Sequence, residues 1–147
     1  MALETFRASV RSAGEGLLCK ANVRGFEVSM DEPKELGGGN RAMNPVELLL
    51  SALGGCITIC AVAFAPACGV KLEDFRVNLE GDLDPDGFTG KRRDVRTGFQ
   101  HIRFKMNIKS SSPEENVRNL VDMIKSRCPV SDTLRGVRVD GDFTVTR

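Results

Sequence analysis

The chain switches between two hydrophobic periods, and the switches mark out its elements. Phe6, Ala8 and Val10 alternate with Arg7, Ser9 and Arg11 in the two-residue period of a half-buried strand. A second strand is predicted over residues 17–22 after the turn Gly14-Glu15-Gly16. A third carries Phe26, Val28 and Met30 on one face. Residues 32–41, with Pro33 and Gly37-Gly38-Gly39, predict a loop. Phe75, Val77 and Leu79 give strand four, and a charged hairpin over residues 82–96 leads to strand five. There Ile102, Phe104, Met106 and Ile108 face inward and His101, Arg103, Lys105 and Asn107 outward. Val137, Val139, Phe143 and Val145 mark the last strand.

The helical period of about 3.6 residues appears twice. Asn44, Pro45 and Glu47 spell an N-cap, a first-turn proline and the acid that closes a capping box, so a helix starts here and runs to about Phe64. Ser112, Pro113 and Glu115 repeat that grammar for a second helix over about 113–128, with Val117, Leu120, Val121, Ile124 and Cys128 inward. Ser131 is placed to cap a short helix that stops at Gly136. Strands in local antiparallel pairs with separate helices predict an α+β class, and 147 residues suit a single domain over 1–147.

The first helix is apolar nearly all round, through Val46, Leu49, Leu50, Leu53, Ile57, Ile59, Val62 and Phe64. One small sheet covers only one face of it, so a homodimer is expected. The apolar run over 48–65 approaches the length of a membrane span. Gly54-Gly55 interrupts it and soluble-type capping precedes it, which favours a buried helix and no membrane partner.

Charge changes the picture little. Twenty-one basic and 20 acidic residues leave a net charge of +1 with no dominant block, so nucleic acid is not an expected partner. The N-terminus lacks the basic-then-apolar layout of a signal peptide. Five cysteines without zinc-type spacing suit a reducing compartment, and a cytoplasmic location is expected.

Cysteines hold the candidate chemistry. Cys56 and Cys128 sit on the inward faces of two distant helices, where they are either a redox pair or core filler. Cys60 shares a face with Cys56, but helical neighbours at that spacing have Cβ atoms ~5–6 Å apart, too far for an undistorted disulfide. Cys60, Cys19 and Cys68 receive no role. Cys128 ends a helix, where the dipole disfavours a thiolate, so activation needs a cation brought in by the fold, with Arg41 and Arg24 as candidates. Glu47 reads equally as a cap or as the group that orients that arginine.

Other motifs are weaker. Asp82, Asp84 and Asp86 before Gly87 open like a calcium loop, but its twelfth position is Arg93, and a solvated acidic turn is the better reading. His101 is the one histidine and faces outward, leaving little for a zinc or Cys–His site. No metal or cofactor is expected.

Three stretches together resemble a known family. Residues 31–38 (DEPKELGG), 44–56 (NPVELLLSALGGC) and 128–134 (CPVSDTL) are similar to the OsmC/Ohr proteins, the osmotically inducible and organic hydroperoxide resistance proteins. The resemblance implies antiparallel sheets wrapped around long central helices in an intertwined dimer. It implies thiol-dependent reduction of organic hydroperoxides, with Cys56 attacking and Cys128 resolving through a disulfide. An external dithiol, a lipoylated protein in one branch, then restores the thiols. Val46 stands where the peroxidase branches carry a glutamate, with the acid one position later at Glu47. That departure sets the chain nearer the broader OsmC-like group. The competing expectation is a non-catalytic dimer whose interface binds a small apolar or lipid-like ligand.

Overall fold

The computed structural model describes residues 2–147, and the chain divides into two compact units, one through Leu49 and one from Leu50 onward. The first unit holds an antiparallel meander of β1 (Ser9–Ser12), β2 (Cys19–Val23) and β3 (Phe26–Met30). Arg24 and Gly25 alone join β2 to β3, with φ of 54° and 87°, a turn that needs positive φ at both central residues.

After β3 the chain wraps around one carboxylate. Asp31 is only 2 % exposed and accepts N–H bonds from Glu32 (2.9 Å), Gly39 (3.1 Å) and Arg41 (3.2 Å). Burial by itself raises a carboxyl's pKa, but these bonds and the Arg41 charge outweigh it and hold Asp31 below its ordinary range. The glycines here are a matter of space. A Cβ on Gly38 would lie within 2.7 Å of three Glu32 backbone atoms, and one on Gly39 would lie 2.9 Å from the Asp31 carboxylate.

Helix α1 (Pro45–Phe64) begins in the first unit and continues into the second. In the second, β4 (Asp74–Asp82), β5 (His101–Lys109) and β6 (Arg138–Thr146) form a sheet with β5 in the middle. Ile102, Phe104, Met106 and Ile108 are buried along one face of β5, as the alternation predicts. They join Leu53, Ile57 and Ala61 of α1 and Val117, Leu120, Val121 and Ile124 of α3 (Glu114–Arg127) in one core. The α+β class holds, with one ladder departing from local antiparallel pairing. β5 and β6 run parallel, Met106 opposite Phe143, because two helices intervene and a crossover delivers the strand in the same direction.

Three local expectations give way. Ser112 does not cap α3: its Oγ accepts the Lys71 N–H at 2.8 Å, and Pro113 occupies the cap position without a side-chain bond. Ser131 does not cap the next helix, because α4 (Pro129–Thr133) is capped by Cys128. The charged excursion is no simple hairpin either. It contains α2 (Pro85–Thr89), capped by Asp84, which accepts the Asp86 N–H at 2.9 Å. The carboxylates that open like a calcium loop lie near local cations: Asp82 with Arg103, Asp84 with Arg92 and Asp86 with Lys91.

By length and composition α1 is apolar enough to cross a membrane, yet its inner face is committed to the core. Gly54 sets how closely that face approaches the sheet, since an added Cβ would come within 2.7 Å of Leu79 Cδ1 and 3.6 Å of Val77 Cγ1. Gly54→Val is therefore expected to overpack the core and lower stability by about 1–3 kcal/mol, read as a reduced urea midpoint with an unchanged slope. An unshifted midpoint would show that α1 lies further from β4 than the structure places it.

Candidate functional site

Cys56 lies near the middle of α1 and Cys60 one turn later, both on the side facing α3 and the sheet. Cys56 is half-buried and still reaches solvent, while Cys60 is 7 % and Cys128 3 % exposed. All three are free thiols. Cys60 and Cys128 each interact with the Cys56 side chain, and Cys60 also with Cys128. The fold thus brings Cys56 and Cys128 together, and it adds Cys60, which the sequence leaves without a role. The helical spacing already put Cys60 on the right face. What it did not contain was the approach of Cys128 from another element.

Cys128 stands at a junction. It closes α3, its N–H donating to the Ile124 carbonyl at 3.2 Å, and it caps α4, its Sγ accepting the Ser131 N–H at 3.5 Å. The sequence places it at a helix C-terminus only, and the second helix corrects that. Pro129, preset for the first turn of a helix, is the signal that carried this. Burial and hydrogen bonding to Cys56 still win, and they push the Cys128 thiol up to about 11 against the Ser131 contact. Burial and then the Cys56 sulfur also raise Cys60.

A pH consequence follows for the fold. The native pKa of Cys128 lies above the unfolded value of 9.0, so below that pH both states keep the proton and stability is unaffected. Between pH 9 and about 11 the unfolded chain loses the proton first. Urea midpoints are expected to fall through that window and to fall less in Cys128→Ala. Parallel alkaline losses in both proteins would contradict the shift.

The remaining predicted residues lie in the first unit, each with partners there. Glu47 and Asn44 form a reciprocal box: the Asn44 N–H donates to Glu47 Oε2 at 2.8 Å and the Glu47 N–H to Asn44 Oδ1 at 2.9 Å. The capping role of Glu47 is thus met in full. Arg41 donates from Nη1 to Glu15 Oε2 at 2.8 Å, with Nε 3.7 Å from Asp31. Arg24 is exposed, with its guanidinium 5.4 Å from the Phe26 ring centroid and no carboxylate paired to it among the described residues. It is also one of two non-glycine residues held at positive φ among those described, as the two-residue turn between β2 and β3 requires.

An open cleft of about 300 Å³ is lined by Phe104, Lys125, Ser131, Val139, Asp140 and Gly141. None of the thiols lines it, so the thiol cluster and this concavity are separate features.

Known proteins are similar to this chain in sequence and in architecture. A hydroperoxide reductase of Mycoplasma genitalium is 29% identical over 115 residues, covering 76% of this chain and 74% of that protein. The hydroperoxide reductase of Mycoplasma pneumoniae is 28% identical over 113 residues, with the same coverage. The crystal structure of an OsmC-like protein from Mycoplasma pneumoniae superposes with a TM-score of 0.83 at 21% identity, over 98% of this chain and 99% of that one. The OsmC-like protein family matches residues 37–141, a span that takes in the glycine loop, the capping box and both cysteine motifs, and the chain belongs to that family.

Proposed function

We propose that this protein is a cytoplasmic, homodimeric thiol peroxidase that reduces organic hydroperoxides through Cys56 and Cys128. The contact between these two thiols, delivered by α1 and by the α3–α4 junction, carries the proposal. The hydroperoxide reductases of two Mycoplasma species, with more than a quarter of matched positions identical, support it.

Cys56 is the attacking group because it alone of the three combines solvent access with a neighbouring thiol on another element. Its thiolate attacks the distal peroxide oxygen, the O–O bond breaks, and the alkoxide takes a proton to leave as the alcohol. Cys56 is left as a sulfenic acid. Cys128 then attacks that sulfur, water departs, and a disulfide forms. Its raised pKa keeps Cys128 protonated at neutral pH, so it waits as a thiol until the sulfenic acid appears. An external dithiol returns both sulfurs to thiols, and a lipoyl group on a partner protein has the required 1,3-dithiol chemistry.

Arg41 is already engaged by Glu15 and Asp31, which leaves Arg24 the freer of the two candidate cations. Glu47 serves as the cap of α1. Mixing reduced protein with cumene hydroperoxide in a stopped-flow instrument and following free thiol tests the reading. Thiol loss matched by cumyl alcohol supports it. Retention of all thiols through many equivalents of peroxide would leave the chain as a ligand-binding dimer.

A further inference from the structure

The peroxidase cycle uses two thiols of a cluster that has three. Cys60 is buried one helical turn from Cys56 and interacts with both Cys56 and Cys128. On one helix, Cβ atoms at that spacing are ~5–6 Å apart, whereas a disulfide holds them near ~3.8 Å. Cys56 and Cys60 therefore do not bridge each other without distorting α1. Cys128 approaches from a different element, so that restriction does not apply to either pairing.

We infer that Cys128 is a resolving thiol shared by two partners, and that a buried Cys60–Cys128 disulfide forms by exchange from the Cys56–Cys128 bridge. The starting bridge rests on the peroxidase reading. In the exchange the Cys60 thiolate attacks Cys128 Sγ and the Cys56–Cys128 bond breaks. Cys56 leaves as a thiolate and takes up the proton that Cys60 gave away. One disulfide is consumed and one is made, so no further oxidant or reductant enters.

The oxidising equivalent thus moves inward and Cys56, the accessible thiol, is restored. A subunit can then accept a second hydroperoxide before any dithiol arrives, ending with the Cys60–Cys128 bridge and Cys56 as sulfenic acid. External reductant reaches the inner bridge only by the reverse exchange, which makes Cys56 the point of entry for both reactants. Burial keeps the Cys60 thiolate scarce, so the exchange is slower than the first turnover and quickens with rising pH.

Two arms test this. In the first, Cys56→Ser is oxidised with diamide, acid-quenched, alkylated and mapped by tandem mass spectrometry, which requires no peroxidase activity. A Cys60–Cys128 bridge is expected; both residues recovered alkylated, in this variant and in diamide-treated wild type, would overturn the shared pairing. In the second, wild type is titrated with cumene hydroperoxide without reductant. Consumption of about two equivalents per subunit is expected, in a fast and a slow phase, with the slow equivalent lost in Cys60→Ser. A single equivalent in both proteins would overturn the exchange. No consumption by wild type would overturn the peroxidase reading and the exchange together, while the diamide arm still decides whether Cys60 and Cys128 pair.

Discussion

Cys56→Ser is expected to fold normally and to lose hydroperoxide consumption altogether, by at least about 10³-fold, because a serine hydroxyl is not ionised at neutral pH and does not attack an O–O bond. Cys128→Ser should behave differently. Only resolution is lost, so one rapid turnover remains and Cys56 persists as a sulfenic acid that dimedone traps. Cys60 does not rescue that variant, since helical spacing keeps it from bridging Cys56. Circular dichroism and urea midpoints separate chemistry from folding, for Cys128 is buried and its Sγ receives the Ser131 N–H at the start of α4. Equal activity in wild type and Cys56→Ser would defeat the mechanism outright. A Cys128→Ser protein that turns over steadily would show that the reductant attacks the sulfenic acid directly.

Much of this arrangement was legible in the sequence, for local reasons. Asn44 and Glu47 satisfy each other within a single turn and Pro45 has no N–H to satisfy, so the start of α1 is readable locally. The inward row of β5 and the inward stripe of α3 were equally readable, because burial on one face imposes a period on the residue string. What escapes the sequence depends on partners that the local pattern does not name. Ser112 and Ser131 sit at cap positions by type, but Lys71 claims the first and Cys128 forestalls the second. Strand periodicity says nothing about direction, which hid the parallel pairing of β5 and β6. The sequence gives Cys60 no role, because its neighbour Cys128 comes from another element and no spacing along α1 can announce it. The arginines show the same limit: Arg41 and Arg24 look alike as residues, and only the ion pairs with Glu15 and Asp31 tell them apart.

The dimer is the other large expected effect, and its physical basis is the outer face of α1. Leu53, Ile57 and Ala61 of this helix are fully buried, whereas Ile59 is 70 % and Val62 60 % exposed. Ala52, Gly55, Ile59 and Val62 recur at three- and four-residue steps, so they form a continuous apolar stripe. A Cβ added to Gly55 would meet nothing within 4 Å, which leaves room there for another backbone to approach. Covering an Ile or a Val recovers about 1.5–3 kcal/mol each, and a twofold axis counts every contact twice. Light scattering at micromolar concentration should therefore give twice the 16.0 kDa chain mass. Ile59→Glu should weaken association by about 3–5 kcal/mol, a rise in Kd of roughly 10²–10⁴-fold, because a carboxylate would be buried without a partner. Since the substituted side chain is exposed in the isolated chain, the monomer should keep its secondary structure. A wild type of 16.0 kDa would remove the dimer from the proposal, and an Ile59→Glu protein of unchanged Kd would move the interface off this face of α1.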